Sequence, residues 1–152
     1  MTMVEVRIES ADWERDQERL IAVRTRVFVD EQKVPPELEI DGLDPECHHV
    51  KALLVGQDRV IGTGRLLPDA HVGRLCVLPE YRGLGIGSRL LQYFIEQART
   101  LGMPRVRLNA QIKALEFYRR HGFVTDSEVF MDAGIPHRSM YLDLDDKISK
   151  DQ

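Results

Sequence analysis

Between Gly73 and Leu91 the chain reads GRLCVLPEYRGLGIGSRLL, and this stretch constrains the fold more than any other. It begins as a strand over Arg74–Leu78, turns at Pro79, and passes through a glycine-rich loop, Arg82–Gly87, into an amphipathic helix starting near Ile86. Gly83, Gly85 and Gly87 lack a Cβ, so the backbone bends sharply and leaves room for a ligand. The helix adds unpaired N–H groups and the positive end of its dipole, which together suit an anion. Arg82 supplies a full positive charge at the mouth of the loop. The competing reading is a tight strand-to-helix connection with no ligand.

Two familiar phosphate-binding patterns do not fit. A P-loop closes with Lys-Ser/Thr to reach the phosphates and Mg²⁺, whereas Ile86-Gly87-Ser88-Arg89 has no such Lys. A dinucleotide fold carries GxGxxG after its first strand. Here the spacing is GxGxG and a hairpin run precedes it.

The 152 residues fit one domain, 1–152. At 43% hydrophobic and 30% charged, the chain has enough apolar material for a core. A net charge of −4 points away from nucleic acid, which selects basic faces. The cysteines, Cys47 and Cys76, are too few for a disulfide framework, so a reducing cytoplasm is expected. The charged opening MTMVEVRIES is no secretory signal, and no apolar run reaches the roughly 18 residues of a membrane span.

Apolar spacing predicts a strand over Met3–Ile8 and a helix capped by Ser10 or Asp12 that runs to about Val29. A long acidic loop follows to Cys47, with Glu31, Glu37, Glu39, Asp41, Asp44 and Glu46 among Pro35, Pro36, Gly42 and Pro45. It reads either as a lure for a cationic substrate or as a solvated loop. His49–Val55 and Arg59–Leu67 form a hairpin across Gly56-Gln57-Asp58, and Ala70–Leu78 is the next strand. After the glycine-loop helix, which ends near Leu101, come a strand at Val106–Ala110 and a short helix at Ala114–His121. Strands at Phe123–Met131 and His137–Leu144 complete the order. The fold class is α/β (α+β), a mixed sheet flanked by helices.

Arg82-Gly83-Leu84-Gly85-Ile86-Gly87 matches the (Gln/Arg)-x-x-Gly-x-(Gly/Ala) signature of the Gcn5-related N-acetyltransferases, as does Val77-x-Pro79-Glu80-Tyr81 before it. Thirty-six positions after Arg82, Tyr118 stands in Phe117-Tyr118-Arg119-Arg120-His121-Gly122-Phe123, which resembles the family's second landmark. Arg26–Gln32, Asn109-Ala110-Gln111 and Gly134-Ile135-Pro136-His137 resemble the ElaA-like bacterial branch. The resemblance implies a mostly antiparallel, twisted sheet with a splayed central strand pair.

It also implies a function: transfer of acetyl from acetyl-CoA to a primary amine by direct attack, the acceptor being a small amine or a protein amine. No metal, nucleic acid or membrane enters, and homodimers are common among similar proteins. By similarity, Gly83, Leu84, Gly85, Ile86, Gly87 and Ser88 hold the pyrophosphate beside Arg82. Leu75, Cys76 and Val77 line the pantetheine, and a strand N–H polarises the thioester carbonyl. Tyr118 is the general acid for the departing thiolate.

Each residue has a plainer reading as well. Tyr118 can be a packed aromatic beside Phe117. Cys76 sits between Leu75 and Val77 in a buried-looking strand, where a thiol is inert. His48-His49 lacks a second ligand pair at zinc spacing and reads as a strand start. Arg105 and Arg107 read as a solvated strand face.

Two positions depart from the family pattern. Gln111 stands where many members have Asn, seven residues before the Tyr. The family's Glu base position is Val106, and His71–Val77 holds no acid. A base can then come from Glu31, from His137 through water, or from solvent. Glu31 is the candidate taken here, from its place at the end of the first long helix. Lack of the family base leaves open a second reading, a non-catalytic acyl-CoA sensor.

Overall fold

The computed structural model describes residues 5–144. Strand β1 (Val6–Ala11) is the first element among the described residues, and Met3 and Val4 of the expected strand lie outside them. Asp12 caps helix α1 (Trp13–Arg24), its carboxylate accepting from the N–H groups of Glu14 and Arg15 at 2.9 and 3.3 Å.

The expected helix to Val29 does not stay α. Thr25–Glu31 widens into a π turn, and the Gln32 N–H reaches the Val27 carbonyl five residues back at 3.1 Å. The β-branched residues Thr25, Val27 and Val29 hold the tighter α spiral poorly. The wider turn packs Val27 into the core and carries Phe28 and Gln32 to a cavity wall.

The acidic loop is solvated only in part: Glu37 and Glu46 stay exposed, while Glu39, Asp41 and Asp44 pair with arginines. It folds through helix α2 (Pro36–Glu39) and a 3₁₀ turn at Asp44–Glu46. Glu39 and Asp44 are 3% and 2% exposed. Arg24 donates to Glu39 and to Asp44, the latter at 2.8 Å, while Arg65 donates to Asp41 and Asp44. Arg74 donates to the Glu39 carbonyl at 2.8 Å and to Asp41 at 3.3 Å. Three guanidinium groups thus meet three loop carboxylates, and pairing is what makes burying either kind tolerable.

The sheet continues with β2 (His48–Leu54), β3 (Arg59–Leu66) and β4 (His71–Val77). Helix α3 (Ile86–Thr100), β5 (Arg105–Gln111) and helix α4 (Leu115–Arg120) follow. The expected strand Phe123–Met131 splits into β6 (Val124–Thr125) and β7 (Phe130–Asp132), both paired to β8 (Ile135–Asp143). Between them Ser127 accepts from the Ser139 N–H through its side chain at 2.9 Å, replacing a ladder bond.

Strands lie in the order β1-β2-β3-β4-β5-β8-β6, with β7 also on β8. Every pairing is antiparallel except β4 with β5. Alternation along β3 turns Gly62 and Gly64 toward α3 and Arg65 toward α1 and the acidic loop. A Cβ on Gly64 would stand 2.7 Å from the Phe94 ring, so only glycine lets α3 lie this close. Leu90, Leu91, Phe94 and Ile95 of α3 are fully buried there, each worth roughly 1.5–3 kcal/mol.

Candidate active site

The site exists because β4 and β5 separate. They pair only at His71↔Arg107 and Val72↔Leu108. Beyond Val72, β4 also bulges: Arg74 and Leu75 together face the single residue Gly64, and Arg74 takes φ +52°. Among the described residues, the backbone edge of Gly73–Val77 is therefore without a ladder partner on its β5 side. The gap opens into a cavity of 940 Å³.

Several elements wall this cavity, among them β3, β7 and β8 through Arg65, Asp132 and His137. Gly73–Val77 of β4 form one side, Asn109 and Gln111 of β5 the other, Phe117 and Tyr118 of α4 a third, and Phe28 and Gln32 of the π turn the fourth. Gln111 donates to Gln32 at 2.8 Å and ties β5 to that turn. Arg82, Gly83, Gly85, Ile86, Gly87 and Ser88 line the mouth. Leu84 does not: it is 55% exposed and stands outside the lining.

The glycine loop has the shape an anion needs. Gly83 and Gly85 take φ of +83° and +80°, and nothing among the described residues stands within 4 Å of where their Cβ atoms would be. Gly85 is the N-cap of α3, and no side chain caps that helix. The first-turn N–H groups of a helix of 15 residues thus face the open space left by the glycines. Such a cradle suits a diphosphate, and the cavity continues behind it.

Tyr118 and Cys76 meet inside. Burial, with the Cys76 sulfur adding to it, pushes the Tyr118 phenol up to about 12. Its ring packs edge-on against Phe117 and Phe123, and its hydroxyl has no hydrogen-bond partner among the described residues. Packed aromatic and cavity-facing phenol are here the same residue. Cys76 is 6% exposed, and burial pushes its thiol up to about 12, so it is no thiolate nucleophile.

Glu31 lies outside the cavity lining. Its two oxygens accept from Arg82 at 2.8 and 2.7 Å, and that pairing holds its carboxyl below the usual range. Arg82 also donates to the Val77 carbonyl at 2.9 Å, pinning the loop to the end of β4.

Other expectations resolve simply. His49 is buried, stacks on Trp13 at 4.7 Å and donates to the Asp44 carbonyl at 2.9 Å, as part of the acidic-loop packing. Arg105 and Arg107 are half-exposed and paired with Asp143 and Asp126. Sequence reasoning missed Phe28 as a wall of the site, because only the π turn brings it there. It also missed His121, whose Nε2 lies 3.0 Å from Ser88 Oγ and steadies the first turn of α3. No helix among the described residues is long and apolar enough to cross a membrane.

Known proteins share this arrangement. The family model of the acetyltransferase (GNAT) domain matches residues 21–144. The uncharacterised N-acetyltransferase YjcF of Bacillus subtilis is 38% identical over 125 residues, 80% of this chain and 88% of its own. An acyl-CoA N-acyltransferase from Pseudomonas aeruginosa superposes with a TM-score of 0.79 at 30% identity, covering 92% of this chain and 99% of that one. Escherichia coli ElaA does so at 0.77 and 27% identity, covering 93% and 100%. With that domain spanning the splayed strands, the glycine cradle and Tyr118, this chain belongs to the GNAT acetyltransferase family and is an acyltransferase.

Proposed function

We propose that the protein transfers an acetyl group from acetyl-CoA to a primary amine by direct attack, with no acyl-enzyme. The observation that carries this reading is one continuous cavity with the uncapped glycine cradle at its mouth and the unpartnered Tyr118 hydroxyl on its wall. Bound acetyl-CoA supplies an activated thioester, and the chain's own groups do the rest.

The N–H groups of Gly83–Ser88 bind the pyrophosphate. The open edge of Leu75–Val77 takes the pantetheine amides, and a backbone N–H at the bulge donates to the thioester oxygen as it gains charge. Tyr118 donates to the departing sulfur. Burial keeps its phenol protonated at any working pH, so the donor is always loaded. That same burial makes it a weak acid, so it stabilises the thiolate through a hydrogen bond before the proton moves. Glu31 serves in this reading as the anchor of Arg82, because each of its oxygens already accepts from that guanidinium. The two free cysteines suit a reducing cytoplasm.

An amine panel with thiol detection, run on wild type and Tyr118→Phe, tests the proposal. Wild type should release coenzyme A with at least one amine, and the variant should turn over roughly 100-fold more slowly with unchanged acetyl-CoA affinity. Tight binding without turnover on any amine would make the chain a sensor instead.

A further inference from the structure

The transferase reading still needs a group to take the proton that the attacking amine loses. We infer that His137, through Nε2, is that general base, an assignment that rests on the transferase reading.

Local geometry sets the tautomer. β7 and β8 are joined through Ala133 and Gly134, whose φ values are +54° and +78°. Just past this turn, His137 Nδ1 lies 2.7 Å from the Ile135 carbonyl oxygen. A carbonyl oxygen only accepts, so Nδ1 carries the hydrogen and Nε2 keeps its lone pair. The ring is also fixed in plane. Phe130 is its cross-strand neighbour and stacks on it with centroids 5.9 Å apart, 21° from parallel.

Sheet register sets the place. His137 pairs with Gln111 at the end of β5 where the splay is open. Both residues line the cavity that holds Tyr118 and the free edge of β4. His137 is 9% exposed, and Nε2 has no hydrogen-bond partner among the described residues. A buried imidazole with one nitrogen tied to the backbone and the other unpartnered is poised to accept a proton.

Among the other groups on the wall, His71, Asp69 and Cys76 are less suited. His71 lies where β4 and β5 are still paired, and its Nδ1 stands 3.1 Å from Asp69. Asp69 is in turn held below the usual carboxylate range; burial opposes this, and the hydrogen bonds of His71 outweigh it. Cys76 keeps its proton.

The step balances with two protein groups. The lone pair of the neutral amine forms the N–C bond to the thioester carbon, and the C–S bond breaks with its electron pair on sulfur. The surplus amine proton goes to His137 Nε2, and the thiolate takes the Tyr118 proton. Solvent then returns one proton from the imidazolium to the phenolate, leaving amide, free thiol and both residues as they began.

His137→Asn is the informative variant, because its side-chain NH₂ can still donate to the Ile135 carbonyl while Nε2 is gone. On an amine that wild type acetylates, kcat should fall about 100-fold with KM for acetyl-CoA unchanged. Free imidazole should restore part of the rate to His137→Ala. Nitrogen-15 NMR of wild-type His137 should give the Nδ1–H tautomer, a readout that needs no activity. A kcat within about threefold of wild type in a folded His137→Asn would overturn the assignment and leave the transferase reading standing. An Nε2–H tautomer would also overturn it. Absence of turnover with every amine in wild type would remove the transferase reading, and this assignment with it.

Discussion

Arg82 and Glu31, 51 positions apart in the chain, close a two-bond ion pair with N···O distances of 2.8 and 2.7 Å. The pair joins the mouth of the glycine loop to the last residue of the π turn. In the proposed reading an anion at the loop meets an Arg82 whose charge Glu31 already offsets, so its binding would rest mainly on backbone N–H groups.

Glu31→Gln separates anchor from base. The pair is partly exposed, so its loss should cost less than about 1 kcal/mol in urea unfolding. With Glu31 as anchor, kcat should stay within about threefold of wild type, whereas loss of a true base costs about 100-fold. Steady-state kinetics with a saturating amine distinguishes the two.

Gly85→Val places a β-branched side chain at φ +80° and in the space beside the cradle. Left-handed strain should cost roughly 1–2 kcal/mol. Gly102→Val, at φ +78° beyond the other end of α3, carries similar strain away from the loop. Calorimetry should find acetyl-CoA affinity lowered more than about tenfold in Gly85→Val and little changed in Gly102→Val, a tenfold loss being about 1.4 kcal/mol.

Cys76 should remain unmodified. Burial pushes its thiol up to about 12, so at neutral pH it is protonated as well as hidden. Intact-mass spectra after mixing with acetyl-CoA should contain no acetyl adduct on Cys76, and iodoacetamide should label half-buried Cys47 first. An acetyl adduct that forms and decays with turnover would mean a two-step mechanism.

Acid should loosen the arginine–carboxylate network. Asp41 is held down to about 2 from an ordinary 3.8, first by the hydrogen bonds from Arg65. A carboxyl with a depressed folded value stabilises the fold fully above the unfolded value and loses that contribution as pH falls through the folded one. Between pH 5 and pH 2, wild type should lose more stability than Asp41→Asn in urea unfolding, by no more than about 1 kcal/mol because solvent screens this partly exposed carboxylate.

Helix and strand order was legible in the chain because it depends on neighbours a few residues apart. The glycines before Ile86, the apolar stripe of Leu90, Leu91, Phe94 and Ile95, and Gly102 after the helix are local signals, and they placed α3 closely. The π turn was not legible, since Thr25–Glu31 has ordinary helical spacing and only its packing favours the wider spiral. Nor was the break after Thr125, which depends on Ser127 reaching across to Ser139.

By itself, then, the sequence determined that a glycine bend joins a strand to a helix, and that Tyr118 follows at the distance the family uses. Backbone conformation is governed by adjacent residues, so spacing carries it. Only tertiary structure decided where the charges go. Glu31 reaches Arg82, Glu39, Asp41 and Asp44 pair with Arg24, Arg65 and Arg74, and His137 arrives in the cavity of Tyr118 through pairing with Gln111. A charge takes whichever partner packing brings within about 3 Å, and that is set by how the sheet closes and splays rather than by position in the chain.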